Sequence, residues 1–220
     1  MKIGFISDVH SKKIALESVL EDMPTVDKLV CCGDVVGYGP WPSECVDIIK
    51  NKCDLIIEGN HDRQLKSPED YKSHISAYEG LKHAKSELTD NQFDWVTTLP
   101  KQVSIENYLC VHSHPTAVDK YVYPNDFSNM EKYINEYNGM ISGHTHIQAK
   151  EKIADNKLIF NPGSVGQPRD RDSTAAYAVL DSDKNNVELY RTNYDIEKVV
   201  NKIDECGLPE RSGRRLRNGE

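Results

Sequence analysis

The chain has 220 residues, of which 38% are hydrophobic and 28% charged, and its formal net charge is −8. A chain of this kind can bury a sizeable core without disulfide bonds, and its acidic balance argues against a general nucleic-acid binder. No apolar run reaches the roughly 18 residues of a membrane span, and the first residues lack the pattern of a signal peptide, so a cytoplasmic protein is expected.

Predicted strands and helices alternate in the first part of the chain. Apolar runs at residues 3–7, 29–32 and 55–57 predict short buried strands. Helical spacing over residues 16–23 and 44–50 predicts the helices between them. Each strand ends in a polar loop that carries Gly or Asp. This repetition is typical of an α/β layered fold with a largely parallel sheet.

A polar and helical segment follows over residues 62–100, which we interpret as a helical insert. The second half consists mainly of predicted strands, the last two forming a hairpin, at residues 108–111, 140–141, 157–160, 175–180 and 187–191. A final helix is predicted over residues 195–205. Residues 206–220 are basic and poor in apolar side chains, so we expect this tail to fray. We therefore predict one domain over residues 1–220 with two packed sheets.

Residues with metal-binding side chains follow five of the predicted strands. Open α/β sheets bind ligands at the carboxyl ends of their strands, so we expect these loops to converge. Carboxylate, amide oxygen and imidazole are suitable ligands for Mn, Fe, Zn, Co and Ni ions. The candidate metal ligands are Asp8, His10, Asp34, Asn60, His112, His144 and His146.

Two of these segments carry ligand-type residues two positions apart, namely D-V-H from Asp8 and H-T-H from His144. In an extended segment, residues i and i+2 point to the same side, which would aim both side chains at one place. Each motif alone is weak evidence, because D-x-H and G-D steps are common in surface turns. The strong signal is the order D-x-H, G-D, G-N-H-D, H and G-H-T-H along the chain.

This order of motifs resembles that of the calcineurin-like metallophosphoesterase superfamily. More narrowly, it is similar to the small bacterial and archaeal phosphoesterases that are grouped with diadenosine tetraphosphatase-like proteins. The resemblance runs from residue 3 to about residue 191 and includes the stretches GDVVGYGPWPSECVDII and FNPGSVGQPRDRD. It implies a four-layer α/β/β/α sandwich, with two mixed sheets flanked by helices, and a dinuclear metal centre.

The resemblance also implies a role for each residue of the site. The ligands would form two groups around a bridging carboxylate: Asp8, His10 and His146 for a first ion, Asn60, His112 and His144 for a second, and Asp34 between them. His61 would act as the general acid, and Asp62 would orient His61 or its loop. We expect Mn²⁺, with Fe, Zn, Ni and Co as alternatives. The implied reaction is hydrolysis of a phosphodiester or phosphomonoester by metal-activated hydroxide, on a small phosphorylated substrate, with nucleotide-derived compounds among the candidates.

The fourth motif departs from the family's pattern. The family has a His-Gly step at this point, whereas this chain has the sequence H-S-H-P from His112. His112 directly follows the apolar run and matches the motif position, so we prefer it as the ligand. His114 is the rival, because both side chains would face the same side of an extended segment.

Several further residues allow two interpretations. Arg169 and Arg171 either contact substrate phosphate or pair with Asp170 and Asp172. Tyr38 either stacks on a substrate ring or packs within its own loop, and the helical insert is a candidate lid. The residues that we assign to packing or to a solvated terminus are Tyr121, Tyr123, Tyr133, Tyr137, Arg211, Arg214, Arg215 and Arg217.

Two other functions compete with a phosphoesterase. A non-catalytic interaction scaffold is the main alternative, because some members of the superfamily, such as a retromer subunit, serve as protein-interaction modules. A scaffold would be expected to lose His61 or a metal ligand, and this chain retains the full pattern. A nuclease is disfavoured by the acidic balance and by the lack of a basic groove signature. We predict no membrane partner.

Overall fold

The computed structural model describes residues 1–153 and 156–220, which form two five-stranded sheets. The first sheet contains β1 (Lys2–Ile6), β2 (Lys28–Cys31), β3 (Leu55–Ile56), β9 (Ala175–Asp181) and β10 (Asn186–Thr192), in the order β10-β9-β1-β2-β3. The second contains β4 (Gln102–Ile105), β5 (Tyr108–Val111), β6 (Gly139–Ser142), β7 (Ala149–Lys152) and β8 (Leu158–Asn161), in the order β4-β5-β6-β8-β7.

Both sheets are mixed. Strands β1, β2 and β3 run parallel, and β9 pairs antiparallel with both β1 and β10. In the second sheet β5, β6 and β8 run parallel, and β4 and β7 are antiparallel edge strands. Helices α1 (Lys13–Asp22) and α2 (Pro42–Lys52) provide the crossovers that the parallel strands β1 to β3 require. The predicted class, two mixed sheets flanked by helices, is confirmed.

The two sheets pack face to face around a shared apolar core. Ile3 and Phe5 of β1 belong to this inner core, whereas Ile6 packs on the helical side of the same sheet. The ring of Phe5 meets that of Phe160 from the second sheet edge-on, with centroids 5.2 Å apart. Because both faces of β1 are covered, its sequence is almost continuously apolar instead of alternating.

A helical layer covers the outer face of each sheet. Side chains of α1 and α2, and of α4 (Ile75–Glu87), share one buried cluster with the first sheet. A 3₁₀ helical segment (Pro124–Tyr133), which the sequence pattern does not predict, places Phe127 and Met130 against the second sheet. These layers complete the α/β/β/α order.

Residues 62–100 are largely helical. This stretch takes in most of α3 (Asn60–Gln64), a 3₁₀ turn (Pro68–Tyr71), α4 and α5 (Asp90–Val96). Helix α5 begins with a capping box: Thr89 Oγ1 accepts from the Gln92 backbone N–H at 3.3 Å, and Gln92 Oε1 accepts from the Thr89 N–H at 3.1 Å. Within the described residues, no helix has the length and apolar content that a membrane crossing needs.

Residues 206–220, whose composition predicts a fraying tail, instead contain a helix, α7 (Glu210–Asn218), packed against α6 (Ile196–Glu205). Leu216 is fully buried in the cluster between these two helices. Arg217 adds a bidentate ion pair to Glu197, with both N–O distances at 2.7 Å. Composition misses this helix because its buried face consists mainly of small residues, which carry little apolar signal.

Candidate metal centre and active site

The loops that carry the candidate ligands all begin at the carboxyl ends of parallel strands. Asp8 and His10 follow β1, Asp34 follows β2 and Asn60 follows β3, whereas His112 follows β5 and the H-T-H segment follows β6. Backbone hydrogen bonds tie these loops together, including Asp8 N–H to Gly33 O at 3.0 Å and Gly143 N–H to His112 O at 2.9 Å. The expected convergence of the strand ends is therefore present.

The backbone of these loops is unusual. Five ligand candidates lie in the left-handed region, with φ values of 54° for Asp8, 48° for His10, 55° for Asp34, 64° for His144 and 62° for His146. Non-glycine residues rarely adopt this conformation, which costs about 1–3 kcal/mol each and is concentrated at functional sites. The extended geometry expected for the D-V-H and H-T-H segments is therefore wrong, because left-handed turns aim these side chains instead.

Four side chains form a first buried group. One ligand-type atom from each of Asp8, His10, Asp34 and His146 lies within 4.8 Å of all the others. His146 Nε2 is 3.1 Å from Asp8 Oδ1, and His10 Nε2 is 3.6 Å from Asp34 Oδ2. The two imidazole Nε2 atoms of His10 and His146 are 3.2 Å apart. This group coincides with the ligands expected for the first ion together with the bridging carboxylate.

A second group lies on the other side of Asp34. His112 Nε2 is 3.4 Å from Asp34 Oδ2 and 3.2 Å from Asn60 Oδ1. The rings of His112 and His144 have centroids 5.2 Å apart. The His144 backbone N–H donates to Asp8 Oδ2 at 3.1 Å, which ties the two groups together. Asp34 lies between the groups, as a bridging ligand would.

Backbone carbonyls fix the tautomers of three imidazoles. The Nδ1 atoms of His10, His112 and His146 lie 3.2, 2.7 and 2.6 Å from the carbonyl oxygens of Val36, Cys32 and Gln167, respectively. Nδ1 must carry the proton in each contact, because a carbonyl only accepts. In the neutral rings, the Nε2 lone pairs therefore point inwards.

The electrostatics of the cluster favour a cation. Asp8 Oδ1 is buried and has no hydrogen-bond partner among the described residues. Burial lowers the pKa of His112, but Asp34 and Asp8 outweigh that effect and hold the pKa at about 10. Burial raises the pKa of Asp34, yet the neighbouring imidazoles of His112, His61 and His10 hold it well below its ordinary value. Two buried carboxylates and converging imidazole nitrogens, which lose their protons to bind metal, fit divalent metal ions.

His61 lies beside the cluster and faces the cleft. Its backbone N–H donates to Asp34 Oδ1 at 2.8 Å, and its ring lies 4.5 Å from that of Tyr38, measured between centroids. Its Nδ1 is buried without a partner among the described residues. Burial lowers the pKa of His61 to about 4, and the positive charge of Arg169 acts in the same direction. The imidazole in the cleft is therefore neutral near pH 7 when no anion lies beside it.

Asp62 has a different environment. Its carboxylate accepts hydrogen bonds from the backbone N–H groups of Gly59, Val35 and Val36, at 3.0, 3.2 and 3.1 Å. Burial and the nearby charge of Asp34 raise its pKa to about 7. Asp62 therefore ties the loop after β2 to the loop after β3, and its carboxylate contacts backbone instead of the cleft.

His114 lies apart from both groups. Its Nδ1 accepts from the backbone N–H groups of Thr116 and Ala117, at 3.2 and 3.1 Å. Its ring packs edge-on against Tyr133, with centroids 4.7 Å apart. Of the two rivals after β5, His112 alone contacts the cluster.

A cleft of about 790 Å³ opens over the cluster. From the sequence alone, several of its lining residues are open to assignment to packing, to ion pairs or to a solvated terminus. Tyr121, assigned above to packing, is exposed and stacks on His144 with ring centroids 4.2 Å apart. The pairing of Arg169 with Asp170 is wrong, because Asp170 pairs with Arg191. The lining residues that contribute aromatic or positive side chains outside the ligand set are Tyr38, His61, Tyr71, His74, Tyr121, Arg169, Arg211 and Arg215.

Comparison with known proteins places the chain in a family. Residues 1–185 match the calcineurin-like phosphoesterase superfamily domain. The uncharacterized protein MJ0912 of Methanocaldococcus jannaschii is 33% identical over 235 aligned residues, which cover 97% of this chain and 96% of that protein. Phosphodiesterase YfcE of Escherichia coli is 27% identical over 83% of this chain and 89% of its own length. A crystal structure of a metallophosphoesterase from Sphaerobacter thermophilus is similar with a TM-score of 0.88 and 28% identity, covering 100% of this chain and 99% of that one.

Proposed function

The chain belongs to the calcineurin-like phosphoesterase superfamily, and from this premise we propose that it is a divalent-metal-dependent phosphoesterase with a two-metal centre. The proposed reaction is hydrolysis of a phosphodiester or phosphomonoester in a small substrate. The similarity to YfcE, which is a phosphodiesterase, supports this class of reaction.

One observation carries the proposal. Three imidazoles whose Nδ1–H groups donate to backbone carbonyls direct their Nε2 atoms towards two buried carboxylates, and this arrangement needs positive charge at its centre. We propose the ligands in two groups that share Asp34: Asp8, His10 and His146 for one ion, and Asn60, His112 and His144 for the other. Mn²⁺ is our preferred ion, with Fe, Zn, Ni and Co as alternatives, because nitrogen and oxygen donors suit them all.

When bound, such ions supply Lewis-acid charge for the phosphoryl oxygens and lower the pKa of water towards neutrality, so that hydroxide becomes available. The chain's own groups then have distinct tasks. Asp34 fixes the loop of His61 through its 2.8 Å hydrogen bond to the His61 N–H. Asp62 fixes the same loop by accepting a hydrogen bond from the Gly59 N–H at 3.0 Å. Both residues position the general acid without acting as acids themselves.

We propose that His61 protonates the leaving oxygen. Its imidazole faces the cleft directly beside the metal ligands. A bound phosphoryl group brings negative charge next to this imidazole and so favours its protonated form. Proton delivery of this kind typically contributes 10²–10⁴-fold to a rate.

The cleft supports a small substrate. Its volume of about 790 Å³ lies within the range of small-molecule sites. Tyr38 and Tyr121 supply aromatic faces at its wall, which supports nucleotide-derived compounds as candidates. All six cysteines are free, which supports a reducing compartment such as the cytoplasm.

Hydrolysis of bis-p-nitrophenyl phosphate by protein loaded with Mn²⁺ tests the proposal. We expect p-nitrophenolate release that stops on chelation and is lost in Asp34→Asn. The matched control is Asp204→Asn, an exposed carboxylate on α6, which should retain full activity. If neither this ester nor p-nitrophenyl phosphate is hydrolysed with Mn²⁺, Fe²⁺, Zn²⁺, Ni²⁺ or Co²⁺, the interaction scaffold becomes the better explanation.

A further inference from the structure

Three arginines line one side of the cleft over the candidate metal centre. Arg169 lies in the loop after β8, and Arg211 and Arg215 lie on α7. Because residues four apart share one face of a helix, Arg211 and Arg215 present their side chains in the same direction. Helix α7 lies beyond residues 1–185 that match the family domain, so two of the three arginines come from outside it.

The fold holds these arginines in place. The Arg171 N–H donates to the Gly219 carbonyl at 2.8 Å, which links the loop of Arg169 to the end of α7. Gly219 has a left-handed φ of 63°, and a side chain there would meet the Asp172 backbone nitrogen at 2.6 Å. Leu216, on a face of α7 away from the arginines, is buried in the apolar cluster between α6 and α7. The arginines therefore belong to a docked element, and the cleft wall that they form is built into the fold.

Ion pairs with Asp or Glu side chains do not hold these guanidinium groups. Among the described residues, no Asp or Glu carboxylate lies within 4.0 Å of any of the three guanidinium groups. Within the part of the chain that the structure describes, the Arg169 guanidinium donates to Gln167 Oε1, at 3.2 Å, and its buried Nε has no partner. Arg215 is partly balanced, because it donates to Glu220 O, at the end of the chain, at 2.9 Å and the nearby negative charge of Glu220 raises its pKa. In a chain with a net charge of −8, three such arginines in one cleft point to an anionic ligand.

The arginines lie close to one another and to the metal ligands. Burial lowers the pKa of Arg215, and the charges of Arg169 and Arg211 lower it further. The Arg169 backbone N–H donates to the His146 carbonyl at 3.2 Å, and both residues line the same cleft. The loop of Arg169 therefore contacts both the segment of the metal ligands and the end of α7, and the three arginines line the cleft that contains His144 and His146.

Given the phosphoesterase function proposed above, on which this inference rests, we propose that Arg169, Arg211 and Arg215 bind a second phosphate group of the substrate. The scissile phosphoryl group would lie at the metal centre while the second phosphate lies against α7. Guanidinium forks match phosphate oxygens with paired, charge-assisted hydrogen bonds. The substrate class is then a small ester that carries at least two phosphates.

Two chromogenic esters that differ by one phosphate test this inference. Thymidine 5′-(p-nitrophenyl phosphate) carries only the scissile group, and its 3′-phosphorylated form carries a second phosphate. With Mn²⁺-loaded protein we expect the 3′-phosphorylated ester to have the higher kcat/KM, mainly through a lower KM. Arg211→Gln and Arg215→Gln should each reduce this preference by about tenfold, because each removes a charge-assisted contact.

Arg214→Gln is the matched control, since Arg214 lies on the same helix but is exposed and outside the cleft. It should leave the preference unchanged. Equal kcat/KM values for the two esters in the unaltered protein, or a preference that survives Arg211→Gln and Arg215→Gln together, would overturn the inference.

A binding measurement separates this inference from the proposed activity. Calorimetric titration of the Mn²⁺-loaded protein with thymidine 3′,5′-bisphosphate should give tighter binding than thymidine 5′-monophosphate, and the double variant should abolish the difference. If neither ester is hydrolysed but this difference is present, the phosphoesterase function fails and the arginine site stands. If both esters are hydrolysed and the difference is absent, the arginine site fails alone.

Discussion

At the scale of single residues, two histidines only two positions apart acquire unrelated environments. His112 donates through Nδ1 to Cys32 O, which lies in the other sheet, so its Nε2 points into the space between the sheets. His114 instead accepts hydrogen bonds from its own loop through Nδ1. The position directly after an apolar run identifies the first as the better ligand candidate, and the geometry agrees.

The two histidines offer a matched pair for a metal-binding experiment. His112→Ala should lower the amount of Mn²⁺ retained after dialysis, because it removes an imidazole from the group around Asn60 and Asp34. His114→Ala should retain as much Mn²⁺ as the unaltered protein. Elemental analysis of both variants makes the measurement. Metal loss in His114→Ala alone would mean that the ligand has been assigned to the wrong histidine.

His61 should affect turnover and not metal content. His61→Ala should keep its bound Mn²⁺ and lose roughly 10²–10⁴-fold in kcat on esters with poor leaving groups, which need the proton most. On p-nitrophenyl esters, whose leaving group is stable without a proton, the loss should be much smaller. Comparing phenyl and p-nitrophenyl esters of the same phosphate makes the measurement. An equal loss on both esters would exclude His61 as the general acid.

Lys12 is a fully buried cation with little compensation. Among the described residues its Nζ donates only to the His10 carbonyl, at 3.4 Å, and burial lowers its pKa to about 7. Because an unpaired buried ammonium is costly, Lys12→Met should raise the free energy of unfolding by about 1–3 kcal/mol. Urea unfolding in the presence of a chelator makes the measurement, and Lys13→Met on the surface of α1 should change stability by less than about 0.5 kcal/mol. A destabilised Lys12→Met would show that this charge has a partner the contacts do not reveal.

At the scale of elements, the sequence identifies the strand ends well and the path of the loops poorly. The order of short apolar runs and polar loops predicts β1, β2, β3, β5 and β6 and the residues after them, because buried strands leave an unmistakable apolar pattern. The left-handed backbone of Asp8 and Asp34 has no such pattern. Asp tolerates this conformation better than most residues, but only the neighbouring loops impose it.

The loop after β3 depends on its contacts with the loop after β2. Gly59 has no room for a side chain, because a Cβ there would clash with the Asp34 carboxylate. Asp62 also holds these two loops together, because its carboxylate accepts hydrogen bonds from three backbone N–H groups. The two loops therefore form one unit that presents Asn60, His61 and Asp34 together.

Asp62 should act as a positioning residue within this unit. Asp62→Ala strands three buried N–H groups, so we expect a loss of about 3 kcal/mol or more in stability together with weaker Mn²⁺ binding. Asp62→Asn keeps one oxygen and should recover part of both properties. Asp94→Ala, an exposed change on α5, is the control and should be close to neutral. Stability and metal affinity equal to those of the unaltered protein in Asp62→Ala would remove this role.

The residues of the cleft wall could not be predicted from the sequence. Motif spacing finds the ligands because they lie in short segments after strands, and two of these segments carry a pair of ligands. Arg211 and Arg215 lie far from those segments in sequence, and only the docking of α7 brings them to the cleft. Tyr121 likewise reaches His144 through a loop that carries no motif. Such residues are found from the tertiary structure alone, since nothing local in their sequence distinguishes them from a solvated surface.

At the scale of the whole molecule, the candidate metal centre joins the two sheets. Four of the seven ligand candidates follow strands of the first sheet, and three follow strands of the second. The apolar core between the sheets brings these strand ends to within contact distance. We therefore propose that residues 1–220 unfold as one unit and that bound ions strengthen the connection between the sheets.

Metal removal should then lower stability without splitting the unfolding transition. A ligand present at 100 times its Kd stabilises the folded state by about 2.7 kcal/mol, and 1 kcal/mol shifts Tm by roughly 2–4 °C in a chain of this size. Chelation of the Mn²⁺-loaded protein should therefore lower Tm by about 5–10 °C, as measured by calorimetry. The reason is that the Asp8 and Asp34 carboxylates, buried between the sheets, lose their counter-charge.

Asp34→Asn supplies the control for this experiment, because it removes the carboxylate that both ligand groups share. Its Tm should respond little to chelation, and it should start close to that of the chelated protein. Two separate transitions in the chelated protein would show that the sheets form independent units. If chelation left Tm unchanged, bound metal would not strengthen the connection between the two sheets.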